Sequence, residues 1–258
     1  MSSVDLVTRD RRPRLAATEA ARAEAARLDT VHAGLAAEDL IDLVVHRLFP
    51  GRVALVSSFG ADAAVLLDLV AAVDPSVPVL FVDTDKLFGE TLRHRDRLVQ
   101  RLGLTDVRSI GPDPRAVAEE DPRGVLWHAD ADACCRIRKV EPLARAIAPF
   151  DAWISGRKRF QASTRSEIPT FEADGRRIKV NPLATWSPEA LAARVENRGL
   201  PAHPLVAQGY PSIGCMPCTS RVAAGEDPRA GRWRGKEKTE CGIHLGLATE
   251  NEQDGSGI

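Results

Sequence analysis

A chain of 258 residues with 44% apolar side chains can fill the core of one large α/β domain or two small ones. Its 35 basic and 36 acidic residues leave a formal charge of −1, so no overall field draws it to nucleic acid or a membrane surface, and an anionic ligand has to be met by a local basic patch. No apolar run reaches the length of a membrane span, the N-terminus lacks the basic start and apolar core of a secretion signal, and an odd count of five cysteines argues for reduced thiols, which together place the chain in the cytoplasm.

Taken in order, RDRRPRLAATEAARAEAARLD (9–29) reads as a solvated helix, too acidic for a transit peptide, within an N-terminal helical segment (1–50) that packs on the core. RVALVSS (52–58) is a short β-rich run, followed by FGAD and a helix face of Val65, Leu66, Leu69 and Val70. VPVLFVD (77–83) is a continuous apolar run of the kind buried in a parallel sheet, and TDKLFGETLRHRDRLVQRLG reads as a helix closed by Gly103. DVRSI (106–110) is a third strand, GPDPRAVAEEDPRG a loop or short helix, the stretch from the cysteine pair to Ile147 a helix, and DAWISG (151–156) a fourth strand. Alternating strands and helices predict a doubly wound α/β sheet over 51–222.

After Gly156 the chain turns basic, with a hairpin predicted at Asp174-Gly175 and a helix starting at Ser187 and Pro188 and stopping at Gly199. RVAAGEDPRAGRWRGKEKTE has no apolar periodicity, so 223–258 reads as a mobile tail ending in a disordered NEQDGSGI.

The cysteines fall two, two and one: Cys134 and Cys135 in DACCRIRK, Cys215 and Cys218 in IGCMPCTS, and Cys241 in KTECGIHLG. Trans-linked neighbours lie about 3.8 Å apart at Cα, below the roughly 4.4–6.8 Å that disulfides prefer, so metal ligation is the better use of the adjacent pair. Two separated pairs suit a structural zinc or a four-iron, four-sulfur cluster. Adjacent thiolates diverge from the backbone and fit the corners of a cubane more easily than one tetrahedral ion, which favours the cluster. On a helix Lys139 shares a face with Cys135, and Arg138 with Cys134, so both cations can offset the charge of thiolates or hold an anion nearby. Cys241, with Lys238 before it and His244 after it, sits in a setting suited to an exposed reactive thiol.

SSFGAD lies between a strand and a helix, where backbone amides and a helix N-terminus can hold an oxyanion; it lacks the Walker lysine and is not G-x-G-x-x-G. The motifs SSFGADAAVLL, VDTDKLFGET, CCRIRKVEPL, ISGRKRFQASTRSEIP, NPLATW, GYPSIGCMPCT, GEDPRAGRW and KTECGIH, spanning about Leu55 to Gly246, together resemble the assimilatory sulfonucleotide reductases, and among them the cluster-containing adenosine 5′-phosphosulfate (APS) reductases.

The resemblance implies an adenine-nucleotide α-hydrolase-like (PP-loop, Rossmann-like) fold with helices on both faces of a parallel sheet. It also implies a 4Fe-4S cluster on Cys134, Cys135, Cys215 and Cys218, and catalysis by Cys241. The nucleophile would attack the sulfur of APS, release AMP, and yield sulfite when thioredoxin attacks the resulting S-sulfocysteine. Lys139, Arg229 and Arg232 match the family's anion-binding residues, Ser57, Ser58 and Gly60 its nucleotide loop, and Gly156 and Arg157 continue the site from the fourth strand. Two departures stand out: SSFGADA replaces the SGGxDS of related pyrophosphatases, and VDTD replaces LDTG, which leaves Asp85 without an assigned role.

The competing readings are reduction of the 3′-phosphorylated substrate (PAPS), a PP-loop tRNA-thiolating enzyme, and a zinc-binding module. The second would need SGGxDS and a basic RNA-binding surface, and the third would leave KTECGIH without a purpose. A homo-oligomer is compatible with the sequence, which does not specify one.

Overall fold

A computed structural model describes residues 3–244, with side chains from residue 17 onward. Residues 245–258, which hold the C-terminal stretch expected to be disordered, and the first two residues of the N-terminal segment lie outside the described residues.

The chain opens with α1 (Ser3–His32) and α2 (Ala37–Asp42), which runs on through a wide turn at Leu43–Leu48. Then come β1 (Val53–Val56), α3 (Ala63–Val73), β2 (Val79–Val82), α4 (Gly89–Leu102) and β3 (Val107–Ile110). Three short helices follow, α5 (Pro114–Glu120), α6 (Leu126–Ala129) and α7 (Ala131–Cys135), and then α8 (Glu141–Ile147), β4 (Ala152–Ile154), the hairpin β5 (Phe171–Asp174) and β6 (Arg177–Val180), and α9 (Pro188–Arg198). The strands form one sheet in the order β3-β2-β1-β4-β6-β5, parallel throughout except for β5. This is the doubly wound α/β architecture expected from the alternation of apolar runs.

Side-chain alternation along the strands divides the core. Val53, Leu55, Val79, Phe81 and Ile154 pack in a larger cluster with α1, α2, α3 and α9, while Ala54, Leu80 and Trp153 face Leu143 and Ile147 of α8. With both faces covered, the central strands are apolar at successive positions. Strand β5 is the sheet's outer edge, and α1 shields it: Asp29 Oδ1 accepts the amide of Phe171 at 2.9 Å. The hairpin turns at Gly175 with φ +60°, and Ser187 caps α9 by accepting the amide of Ala190, as the residue types predicted.

Two elements differ from the sequence reading. The helix expected from Thr84 begins only at Gly89, because Asp83 and Thr84 bend the chain by taking the amides of Asp85 and Lys86 onto their own side chains, with Asp85 at φ +57°. The helix carrying the cysteine pair starts earlier, at Ala131, where Asp130 accepts the amides of Asp132 and Ala133. Between α7 and α8 it widens into a π turn at Arg136–Val140. Pro142 explains the widening, since a proline has no N–H and its ring crowds the carbonyl four residues back, that of Arg138.

Residues 223–244 carry no helix or strand, yet they fold back over the carboxyl ends of the strands. The backbones of Thr219 and Arg232 pair, and an added Cβ at Gly231 would come within 2.2 Å of the Ser220 carbonyl, so only glycine permits this approach.

Candidate active site

The carboxyl ends of β1 and β4 open onto a cavity of about 300 Å³. Beyond β1 the chain runs through Ser57, Ser58, Phe59 and Gly60 to α3. Phe59 is fully buried at φ +49°, a conformation costly for a bulky residue, and is held by an edge-to-face contact with Phe81 at 5.4 Å and by Ser57 Oγ, which accepts its amide at 3.2 Å. Burying Phe59 leaves Ser57, Ser58 and Gly60 lining the cavity.

Every residue assigned to substrate or catalysis from the sequence meets in this one space: Ser57, Ser58, Gly60, Lys139, Gly156, Arg157, Arg229, Arg232 and Cys241. The cavity is rich in cations. Burial and the neighbouring Arg165 lower the pKa of Arg157 to about 10, which leaves it charged at neutral pH. Arg157 Nε, Arg232 Nε and His244 Nδ1 are buried without a hydrogen-bonding partner among the described residues. The two orphaned guanidinium donors are what an anionic ligand would satisfy.

The tail closes this cavity. His244 stacks on Trp153 at 5.8 Å, with planes 9° apart, and burial together with the surrounding cations holds its pKa well below the ordinary histidine value. Glu240 receives two bonds of 2.8 Å from Arg165, and Arg229 donates to the carbonyl of Thr239 at 2.8 Å. Arg165 and Glu240 lie within the motifs that carry the resemblance, which assigns them no role. Lys158 also has none from the sequence; it is buried and pairs with Asp62 at 3.3 Å. The signal for these residues is the excess of basic residues after the fourth strand, which spacing alone cannot sort into contacts.

The four paired cysteines line a second, smaller pocket, and Lys139, Arg232 and Trp233 belong to the walls of both. The loop that replaces the start of α4 brings the C-x-x-C turn here: Leu87 pairs with Cys215, Met216 donates its amide to the Lys86 carbonyl at 2.7 Å, and Thr84 Oγ1 lies 3.2 Å from Cys215 Sγ. On the other side, buried Arg138 ties this loop to the cysteine helix through the Thr84 carbonyl at 2.9 Å and Asp121 at 2.9 Å. Asp85 also meets Arg138, at 3.5 Å, so the departure from LDTG places a carboxylate beside this brace.

Burial and the neighbouring Cys215 push Cys134 up to about 11; burial pushes Cys135 up to about 12. Burial also opposes ionisation of Cys215, but Lys139 and the Thr84 hydroxyl outweigh it and lower that thiol's pKa. Burial works to discharge Lys139, but its pKa is raised instead, with Cys215 the largest contributor. All five cysteines are free, and among the described residues no three His, Cys, Asp or Glu side chains converge on the position of a single metal ion.

Sheet order, the strand-to-helix loop and a cationic cavity at the strand ends define an α/β protein built to hold an anionic ligand at the carboxyl edge of its sheet. Residues 52–221 match the phosphoadenosine phosphosulfate reductase domain, and the chain belongs to that family. It is 52% identical to the adenosine 5′-phosphosulfate reductase of Mesorhizobium japonicum over 89% of this chain and 90% of that protein. Identity to the phosphoadenosine 5′-phosphosulfate reductase of Gloeobacter violaceus is 44%, over 77% of this chain and 84% of that one. Among solved structures, the phosphoadenylyl-sulfate reductase of Candida auris in its phosphate complex superposes with a TM-score of 0.64 at 25% identity, covering 77% of this chain and 96% of that one.

Proposed function

We propose that the chain is an oxidoreductase of sulfate assimilation that reduces APS to sulfite and AMP in the cytoplasm, with a thioredoxin as reductant. The observation that carries this reading is the position of Cys241, which lines the same cavity as the β1 loop and the cations of β4 and the tail. No helix among the described residues is long and apolar enough to cross a membrane.

In the reaction, the Cys241 thiolate attacks the sulfur of APS, the S–O bond to the phosphate breaks, and AMP leaves with that electron pair. Lys139, Arg229 and Arg232 stabilise the charge that grows on the departing oxygen, and Arg157 and the β1 loop hold the nucleotide. One thiolate of thioredoxin then attacks Cys241 Sγ and expels sulfite, which takes the S–S electron pair. The second thioredoxin thiol resolves the mixed disulfide, restoring Cys241 and leaving oxidised thioredoxin.

The donor set of the second pocket fits a 4Fe-4S cluster: four thiols on one pocket, two of them adjacent in sequence, with cations close enough to lower the cost of their ionisation. A bound cluster would supply an anionic centre that ties the α7 helix to the C-x-x-C turn and holds Lys139 at the border of the two pockets. Closure and opening of the tail then serve attack and reduction in turn.

Two relatives named for different substrates, APS at 52% identity and PAPS at 44%, make the 3′-phosphate the point to test. Turnover of anaerobically purified protein with each nucleotide decides it. Sulfite release from APS, with PAPS at least tenfold slower, is expected, and the reverse order would overturn the assignment.

A further inference from the structure

The carboxylate of Glu240, beside the nucleophile, has no part in the chemistry above, yet it lines the cavity. Arg165 offers Nε and Nη2 to the two oxygens of Glu240, both at 2.8 Å, and Arg229 Nη2 lies 3.5 Å from the same carboxylate. The Arg165 and Glu240 side chains are only 10% and 12% exposed, so this is no surface ion pair of negligible weight. The cavity's other two carboxylates are engaged elsewhere: Asp62 receives Lys158 and Gln161, and Asp227 caps its own turn through the amide of Arg229. Glu240 thus presents a planar, two-oxygen anion to an arginine fork, the geometry in which a phosphate or sulfate group is also bound.

We infer that Glu240 is an internal stand-in for the substrate's anion: in the ligand-free chain it fills the fork of Arg165 and Arg229, and the incoming phosphosulfate displaces it. The displacement has a mechanical consequence. Arg229 also holds the Thr239 carbonyl, and Cys241 follows Glu240 directly, with Gly242 at φ +86° as the next joint. The same exchange that seats the substrate unpins the segment carrying the nucleophile, so Sγ is freed to move only when a sulfur atom is present to attack. Glu240 is therefore a positioning residue whose removal strengthens ligand binding.

The inference rests on the reading of the cavity as an APS site. The test compares Cys241→Ser, which binds without turnover, with Cys241→Ser/Glu240→Gln and Cys241→Ser/Glu240→Asp, by calorimetry with APS and with adenosine, which lacks the anion. Removing the competing charge should tighten APS about tenfold, with the shorter Asp giving a smaller gain and adenosine binding unchanged. Without ligand, trypsin should cut after Lys236 and Lys238 several-fold faster in the Gln variant, because the latch is open. An APS affinity equal to or weaker than that of Cys241→Ser overturns the exchange while leaving the substrate assignment standing. A gain seen equally with adenosine overturns it as well. If none of the proteins binds APS, the nucleotide reading falls and takes this inference with it.

Discussion

The structure buries a histidine pair that makes the fold sensitive to acid. His94 of α4 is fully buried, neither ring nitrogen has a hydrogen-bonding partner among the described residues, and its ring packs 4.8 Å from that of His203. Leu205 donates its amide to His203 Nδ1, so the proton sits on Nε2 and is donated to Thr91 Oγ1 at 3.0 Å. Burial is the main cause that lowers both pKa values from 6.5 to about 4, with the partner ring adding to the effect at His94. Between those values the unfolded chain binds protons that the folded chain refuses. The stabilisation is complete above pH 6.5 and declines as the pH falls toward 4. Lowering the pH from 7.5 to 5 should remove about 2 kcal/mol per histidine, or roughly 4–8 °C of Tm for a chain of this size. His94→Phe keeps the ring and discards the titration, so it should recover about one histidine's share of that loss. Thermal unfolding followed by circular dichroism at the two pH values measures it. An unchanged pH dependence in the variant, or a His94 resonance titrating near 6.5, would refute the reasoning.

Cys241→Ser should retain its iron and bind APS, yet form no S-sulfonate and release no sulfite, because a hydroxyl is a far weaker nucleophile than a thiolate. Mass spectrometry of the wild type mixed with APS without thioredoxin should find one sulfonate on the peptide of Cys241, and an adduct on Cys215 or Cys218 would reassign the nucleophile. Cys134→Ser and Cys218→Ser should each lose the brown colour and the activity together, from a wild type with about four irons per chain. A stoichiometric zinc content without labile sulfide would reject the cluster. Arg229→Ala should weaken kcat/KM for APS by about 10- to 100-fold, the range of one lost bond to a charged group, with the visible spectrum intact. Arg232→Ala should do the same and also shift that spectrum, since Arg232 borders both pockets.

Pattern and spacing reached the parts of this molecule whose physics is local. The runs at 52–58, 77–83 and 151–156 became three of the four inner strands, β1, β2 and β4, whose buried positions on both faces favour apolar side chains. The cysteines could be grouped because a helix and a short turn fix which thiols lie side by side. The loop at Thr84–Phe88 could not be read from periodicity, since its bend comes from the Asp83 and Thr84 side chains and its purpose from a partner across the fold, Cys215. The tail was opaque for a related reason. It has no apolar stripe, and it is placed by contacts such as Lys238 with Asp132 and Glu240 with Arg165, separated by 106 and 75 residues. Ion pairs of this kind carry no period, so composition reports the charges without reporting who meets whom.

What the fold adds to these residues is a shared wall. Lys139 and Arg232 stand between the cysteine pocket and the anion cavity, so neither site can change charge without the other sensing it. Lys139 has its pKa raised chiefly by Cys215, the one paired thiol whose own pKa is lowered. An ammonium buried without that sulfur would tend to discharge, and a neutral amine could not stabilise a leaving phosphate. In the proposed reaction the cysteine pocket would therefore act through charge and would need to supply no electron. Cys215 favours the charged form of a cation that the proposed reaction needs where negative charge develops.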